Sequence, residues 1–250
     1  METSASHVIA YLCITLVTAI FSGVSGGGAG FINTPLLILL GLSPAQAVAT
    51  GKLTGLAVAT GSLGGLRKVE VRSKKELAII MALALVVGLG APFVIVSLES
   101  DVYRRLLGVL LLIMAPLLIV KKMGRAKASP SPKLRVLGYA FLVGALCLQA
   151  IFSAGMGTLV NVVLIALLGM SALEANLTKR YSQVILNTVI VLGVLATGLI
   201  VWPLALAGAA GSLVGSYIGG KLAVKKGERF VMAVFVTLMA ASGLALVFGL

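Results

Sequence analysis

Long apolar runs separated by short polar stretches make up nearly the whole chain, and the spacing of the interruptions predicts ten helical segments. Five fall at 7–24, 31–41, 44–66, 77–98 and 103–121; five more fall at 134–151, 158–169, 172–199, 202–224 and 229–249. Most have the about 20 residues needed to cross a hydrocarbon core about 30 Å thick. The second and seventh do not. About eleven helical residues rise only about 16 Å, so each of these is either a half-helix or a short irregular crossing.

One stretch interrupts the apolar pattern with flexible backbone: Ser25-Gly26-Gly27-Gly28-Ala29-Gly30-Phe31-Ile32-Asn33-Thr34-Pro35. In hydrocarbon every bare N–H or C=O costs several kcal/mol, so a helix broken at membrane depth faces protein or a wet cavity. The break occurs twice. Adding 128 to a residue number carries Ser25 to Ser153, Gly27 to Gly155, Asn33 to Asn161, Gly41 to Gly169, Ser43 to Ser171, Thr50 to Thr178 and Lys52 to Arg180 without a gap. Small and polar residues in fixed register identify an internal repeat, with one broken element in each half. The fold class expected is an all-α polytopic membrane protein of two homologous halves, with eight full-length helices and two short broken elements. Residues 1–122 form the first transmembrane repeat, 123–133 a cytoplasmic linker and 134–250 the second repeat.

Composition agrees. The 250 residues are 60% hydrophobic and 11% charged, which leaves no polar segment long enough for a soluble domain. Among the 30 glycines, Gly23-xxx-Gly27, Gly51-xxx-Gly55, Gly61-xxx-Gly65 and Gly211-xxx-Gly215-xxx-Gly219 have the spacing of close helix packing in lipid. A net charge of +13 would suggest nucleic acid in a soluble chain. Here the cations cluster between hydrophobic segments, around Arg67–Lys75, Lys121–Arg135 and Lys221–Arg229, as positive-inside loops do. Five crossings per half make the halves inverted, whereas four crossings and a re-entrant piece make them parallel. The charges favour the inverted 5+5 arrangement, because only that one puts all three basic clusters on the same side. Val8 to Gly23 lacks a preceding Lys or Arg, so the first run is expected to be a retained helix and not a secretory signal. Ser43-Pro44 reads as a helix start, and Trp202-Pro203 as an interfacial one. Cys13 and Cys147 lie within apolar runs and suggest neither a disulfide framework nor a metal site.

Two cations fall inside apolar segments at matched positions. Lys52 is eight residues, or about 12 Å, beyond Pro44, and Arg180 has the same depth by the repeat. An unpaired cation there costs roughly 2.5–3.5 kcal/mol, so it should face a cavity, a partner or a substrate. The alternative is snorkelling to an interface, which suits Lys179 and Arg180 if their helix starts late. The carboxylates lie at segment ends, in loops or, for Glu174, near an interface. A cation pathway normally carries carboxylates at depth, so the pattern favours an anion. Half-helix N-termini near Phe31 and Thr158 would add positive dipole ends. Neutral hydrogen bonds could come from Asn33, Thr34, Thr50, Thr54, Ser153, Thr158, Asn161, Thr178, Gln183 and Asn187, each of which could equally be helix-packing glue.

Catalysis finds little support. Gly23-Val24-Ser25-Gly26-Gly27 matches a G-x-S-x-G nucleophile pattern, but His7 is the single histidine and sits roughly 27 Å along the same helix. The glycine run Gly26–Gly30 has no preceding strand and no following Gly-Lys-Ser/Thr, unlike a phosphate-binding loop.

Gly26 to Leu36, with Gly41-Leu42-Ser43-Pro44 and Ala47-Val48-Ala49-Thr50, resembles the first signature of the sulfite exporter TauE/SafE family. Ala154-Gly155-Met156-Gly157-Thr158, then Gly169, Ala175, Thr178-Lys179, Asn187, Gly198, Trp202 and Gly215, resemble the second signature, with Ala154 standing where the family often has proline. The resemblance covers nearly the whole chain and implies a transporter exporting sulfite, organosulfonates or related small anions.

The reading is therefore an inner-membrane, multi-pass carrier of a small anion working by alternating access, and neither an enzyme nor a cofactor protein. A membrane scaffold or assembly subunit, in which the breaks only pack helices, is the rival. The expected partners are the substrate anion and the bilayer, not nucleic acid, with a homodimer left open. The residues expected at the substrate are Ser25, Gly27, Gly28, Asn33, Thr34, Thr50, Lys52, Ser153, Gly155, Gly157, Thr158, Asn161, Arg180 and Gln183.

Overall fold

A computed structural model describes residues 5–27, 29–97, 132–152, 156–227, 229–231 and 233–234. The helices are α1 (Ala5–Ser25), α2 (Ala29–Leu39), α3 (Pro44–Gly65), α4 (Lys74–Val96), α5 (Pro132–Phe152), α6 (Gly157–Ala166), α7 (Ala172–Val194) and α8 (Trp202–Lys226), with a 3₁₀ turn at Leu195–Thr197 after α7. The expected segment 103–121, most of the linker and most of the segment 229–249 lie outside the described residues.

Boundaries follow local chemistry and repeat themselves 128 residues apart. Ser43 opens α3 with a reciprocal cap, its Oγ accepting from Gln46 N at 3.3 Å while its N–H donates to Gln46 Oε1 at 3.1 Å. Its counterpart Ser171 caps α7, accepting from Glu174 N at 3.2 Å, so α7 starts early. Just before each cap, Gly41 and Gly169 take φ of 88° and 71°, the left-handed conformation that ends the short helices α2 and α6. The expected segment 77–98 begins earlier than the pattern suggested, because Ser73 caps α4 through Glu76 N at 3.2 Å.

Burial is sorted as in a lipid-embedded protein. Leu39 is 83% and Phe93 79% exposed, while Thr15, Ser22, Thr50, Lys52, Asn176 and Arg180 are buried. By length and composition α1, α4, most of α5, and α7 with its 3₁₀ turn can cross a membrane. α3 is 22 residues and α8 25, and both are rich in small residues placed at the interior contacts.

Those contacts fix helix directions. Gly208 lies against Tyr11, Gly211 against Leu12 and Thr15, Gly215 against Leu16, and Gly219 against Ile20, so α1 and α8 run parallel. Gly61 meets Leu213 and Ser216, and Gly65 meets Tyr217 and Gly220, so α3 also runs parallel to α8. In the same way Gly88 meets Leu186 and Val189, and Gly193 meets Pro92, so α4 runs parallel to α7. The fourth helix of each half thus packs against the third helix of the other. α1 and α2 fold back on each other, as Thr18 beside Asn33 shows, and α5 and α6 do likewise, as Gly138 beside Leu167 and Leu168 shows. Gly51 and Gly55 are not a packing pair: Gly51 stands against open space.

Candidate functional site

Where α1 stops, its last carbonyls lose their helical partners and must be satisfied otherwise. Ser22 O still accepts from Gly26 N at 2.8 Å and takes Arg180 Nη2 as a second donor. Asn176 Nδ2 donates to Gly23 O at 3.0 Å and Val24 O at 3.1 Å, and Asn161 Nδ2 to Ser25 O at 3.2 Å. Lys179 Nζ donates to Gly26 O. These four side chains belong to α6 and α7, in the other half of the chain. Gly26 turns the backbone at φ 78°, which a side chain would resist, and Ser25 Oγ braces the turn against Phe21 O at 2.9 Å and Gly27 O at 2.8 Å. Cations suit this position because a helix C-terminus carries the negative end of its dipole.

The second break also takes a cation from the other half of the chain. Lys52 Nζ, from α3, donates to Gln149 O at 2.7 Å near the end of α5. The two breaks touch, since a Cβ added to Gly27 would lie 2.6 Å from Thr158 Cγ2.

Between them lies a cavity of about 70 Å³, room for a few waters or one small oxyanion. Of the expected residues, Gly27, Asn33, Thr34, Lys52, Gly157, Arg180 and Gln183 line it. Ser25, Thr50, Thr158 and Asn161 are buried but do not: Ser25 and Asn161 shape the first break, Thr158 packs on Gly27, and Thr50 Oγ1 accepts from Val201 N at 3.1 Å ahead of α8. Gly28, Ser153 and Gly155 lie outside the described residues. Ser22, Gly51, Gln149 and above all Lys179 also line the cavity. Lys179 does not snorkel. The Ser171 cap, visible in the sequence as the counterpart of Ser43, starts α7 early enough to place Lys179 two turns deep.

The cavity is cationic. Lys52, Lys179 and Arg180 are 2%, 2% and 0% exposed, and no carboxylate is among its lining residues. Among the described residues Glu70 is exposed, Glu76 pairs with Arg135, and Glu174 accepts from Arg72 N at 3.0 Å. Each buried cation costs roughly 2.5–3.5 kcal/mol, offset in part by charge-assisted hydrogen bonds to carbonyls of roughly 1.5–3 kcal/mol. Gly30 and Gly157, at the starts of α2 and α6, also line the cavity, so both short helices bring their N-terminal ends to it.

Spanning-length apolar helices folded round a small polar chamber make this a multi-pass membrane transporter. Residues 11–246 match the family described as Sulfite exporter TauE/SafE, and the chain belongs to that family. It is 25% identical over 250 residues to a Sinorhizobium protein named "Probable membrane transporter protein ORF9", covering 98% of this chain and 95% of that one. A Haemophilus influenzae "Probable membrane transporter protein" is 26% identical over 235 residues, covering 92% and 91%, and the Escherichia coli K12 "Probable membrane transporter protein YfcA" 22% identical over 241, covering 94% and 87%. No solved structure matches.

Proposed function

We propose that the chain exports a small anion, sulfite, an organosulfonate or a related sulfur or carboxylate anion, across the cell membrane by alternating access around the cavity between its halves. The observation that carries this reading is three buried cations round one chamber whose lining has no carboxylate. Lys52 supplies charge from α3, Lys179 and Arg180 from α7, and Asn33, Thr34 and Gln183 neutral hydrogen bonds. The halves are read as an inverted 5+5 repeat, residues 1–122 and 134–250 joined by a cytoplasmic linker. Supporting this, α4 leaves from the end where α3 stops and runs parallel to α7, so α7 opposes its repeat counterpart α3.

The test is a panel of sulfite, sulfate, sulfonates and carboxylates scored for thermal stabilisation of the purified protein, followed by flux in proteoliposomes for the best anion. At least one anion is expected to raise the melting temperature in wild type and fail to do so in Lys52→Gln. If no anion shifts it and none is transported, the cations only close helix ends and the scaffold reading takes over.

A further inference from the structure

The two ends of the molecule are repeat counterparts, yet they are closed by opposite chemistry. At the end where α1, α3 and α8 begin, Tyr11, Leu37, Leu42, Ala47 and Leu204 form an apolar cluster. At the other end, beside the basic loops, the N-termini of α4, α5 and α7 surround a polar recess of about 130 Å³. There Glu76 on α4 pairs with Arg135 on α5, and Glu174 on α7 accepts the N–H of Arg72 at 3.0 Å. Both ties join one half of the chain to the other. Their counterparts 128 residues away are Leu204 and His7 for the ion pair, and Gln46 and Ile200 for the second tie. Gln46 turns back to its own cap at Ser43. Glu174 lies six residues before Arg180, about 9 Å along the same helix, so the recess and the cavity share α7.

We propose that the Glu76–Arg135 pair and the Glu174–Arg72 tie are a polar latch that closes the cavity at the basic-loop end, opposite an apolar plug at the other. This rests on the reading of the cavity as part of a transport path. An ion pair whose arginine is 44% exposed adds little to global stability, which suits a contact that must open and reclose.

Gly51→Cys supplies a reporter, since its side chain would enter open space in the cavity; Cys13 and Cys147 are first replaced by alanine. A membrane-impermeant anionic methanethiosulfonate is applied to inside-out and to right-side-out vesicles. Glu76→Gln or Arg135→Gln should raise labelling from the basic-loop face about two- to fivefold, and leave the other face unchanged or slower. Exchanging the pair, Glu76→Arg with Arg135→Glu, should return the rate toward the parent. Parental rates in the neutral variants, an equal rise from both faces, or no labelling from either face would overturn the latch. Anion stabilisation is measured on the same proteins without the reporter. If anions bind and labelling ignores the latch residues, the latch fails and the anion reading stands; if labelling responds and no anion binds, the reverse holds.

Discussion

The two helix breaks lie 128 residues apart and, among the described residues, are held differently. At the first, Arg180, Asn176, Asn161 and Lys179 cover the carbonyls from Ser22 to Gly26. At the second, among the described residues, Lys52 covers Gln149 O. Register explains the difference: where α7 has Lys179, Asn176 and Gln183, α3 has Gly51, Val48 and Gly55. Arg180 spends Nε on Asn176 Oδ1 at 3.2 Å, Nη1 on Gln183 Oε1 at 3.0 Å and Nη2 on Ser22. Among the described residues Lys52 donates to one protein acceptor, Gln149 O, and lines the cavity. Among the described residues, the first break thus draws four side chains from the other half of the chain and the second draws one cation.

The largest effect should come from removing the side chains that hold the first break. Asn176→Val, which installs the residue type of position 48, strips the side-chain partner from two carbonyls and should cost about 2–4 kcal/mol, read by denaturation in detergent. Gly27→Val drives a side chain into Thr158 where the breaks touch; it should abolish transport while some protein remains folded in the membrane, checked by flux beside size-exclusion profiles. Lys52→Gln removes a charge-assisted contact worth roughly 1.5–3 kcal/mol to the anion. Affinity should fall about 10- to 150-fold with little loss of melting temperature, whereas Arg180→Gln should lower both. If the two variants behave alike, the breaks are not functionally distinct. The smallest change is Gly51→Ala, which meets nothing within 4 Å: stability should hold or rise by about 0.5–1 kcal/mol, and only anion binding, by calorimetry, should weaken.

Much of this was legible in the chain. The match of Ser43 to Ser171 and of Gly41 to Gly169 depends on local cap and turn chemistry, which the sequence carries directly, and the structure places both pairs as counterparts. Lys52 and Arg180 were visible because charge at depth is rare. Less visible was which way a buried polar group points. Thr50, Thr158 and Asn161 fall on the right segments but face neighbouring helices, and no local pattern separates packing glue from cavity lining. Snorkelling stayed open for Lys179 and Arg180 on the condition that their helix starts late, and the Ser171 cap, which starts it at Ala172, removes that condition. Gly51 follows the small-xxx-small spacing and yet packs on nothing, since spacing gives the face of a helix and not what stands opposite.

The parallel pairing of α8 with α1 and α3 has a consequence for biosynthesis. Gly23, Gly61 and Gly65 are shaped to receive Ser216 to Gly220, which are made roughly 150 residues after Gly65. At about 5–20 residues per second, the first half waits about 8–30 s in the bilayer with its small-residue groove unfilled. For the earlier part of that interval Lys52 also lacks Gln149 and Ser22 lacks Arg180, since both partners are made after Gly65 but before Ser216. The first half is thus inserted with its groove unfilled, and α8, the last described helix to be made, is the one that fills it.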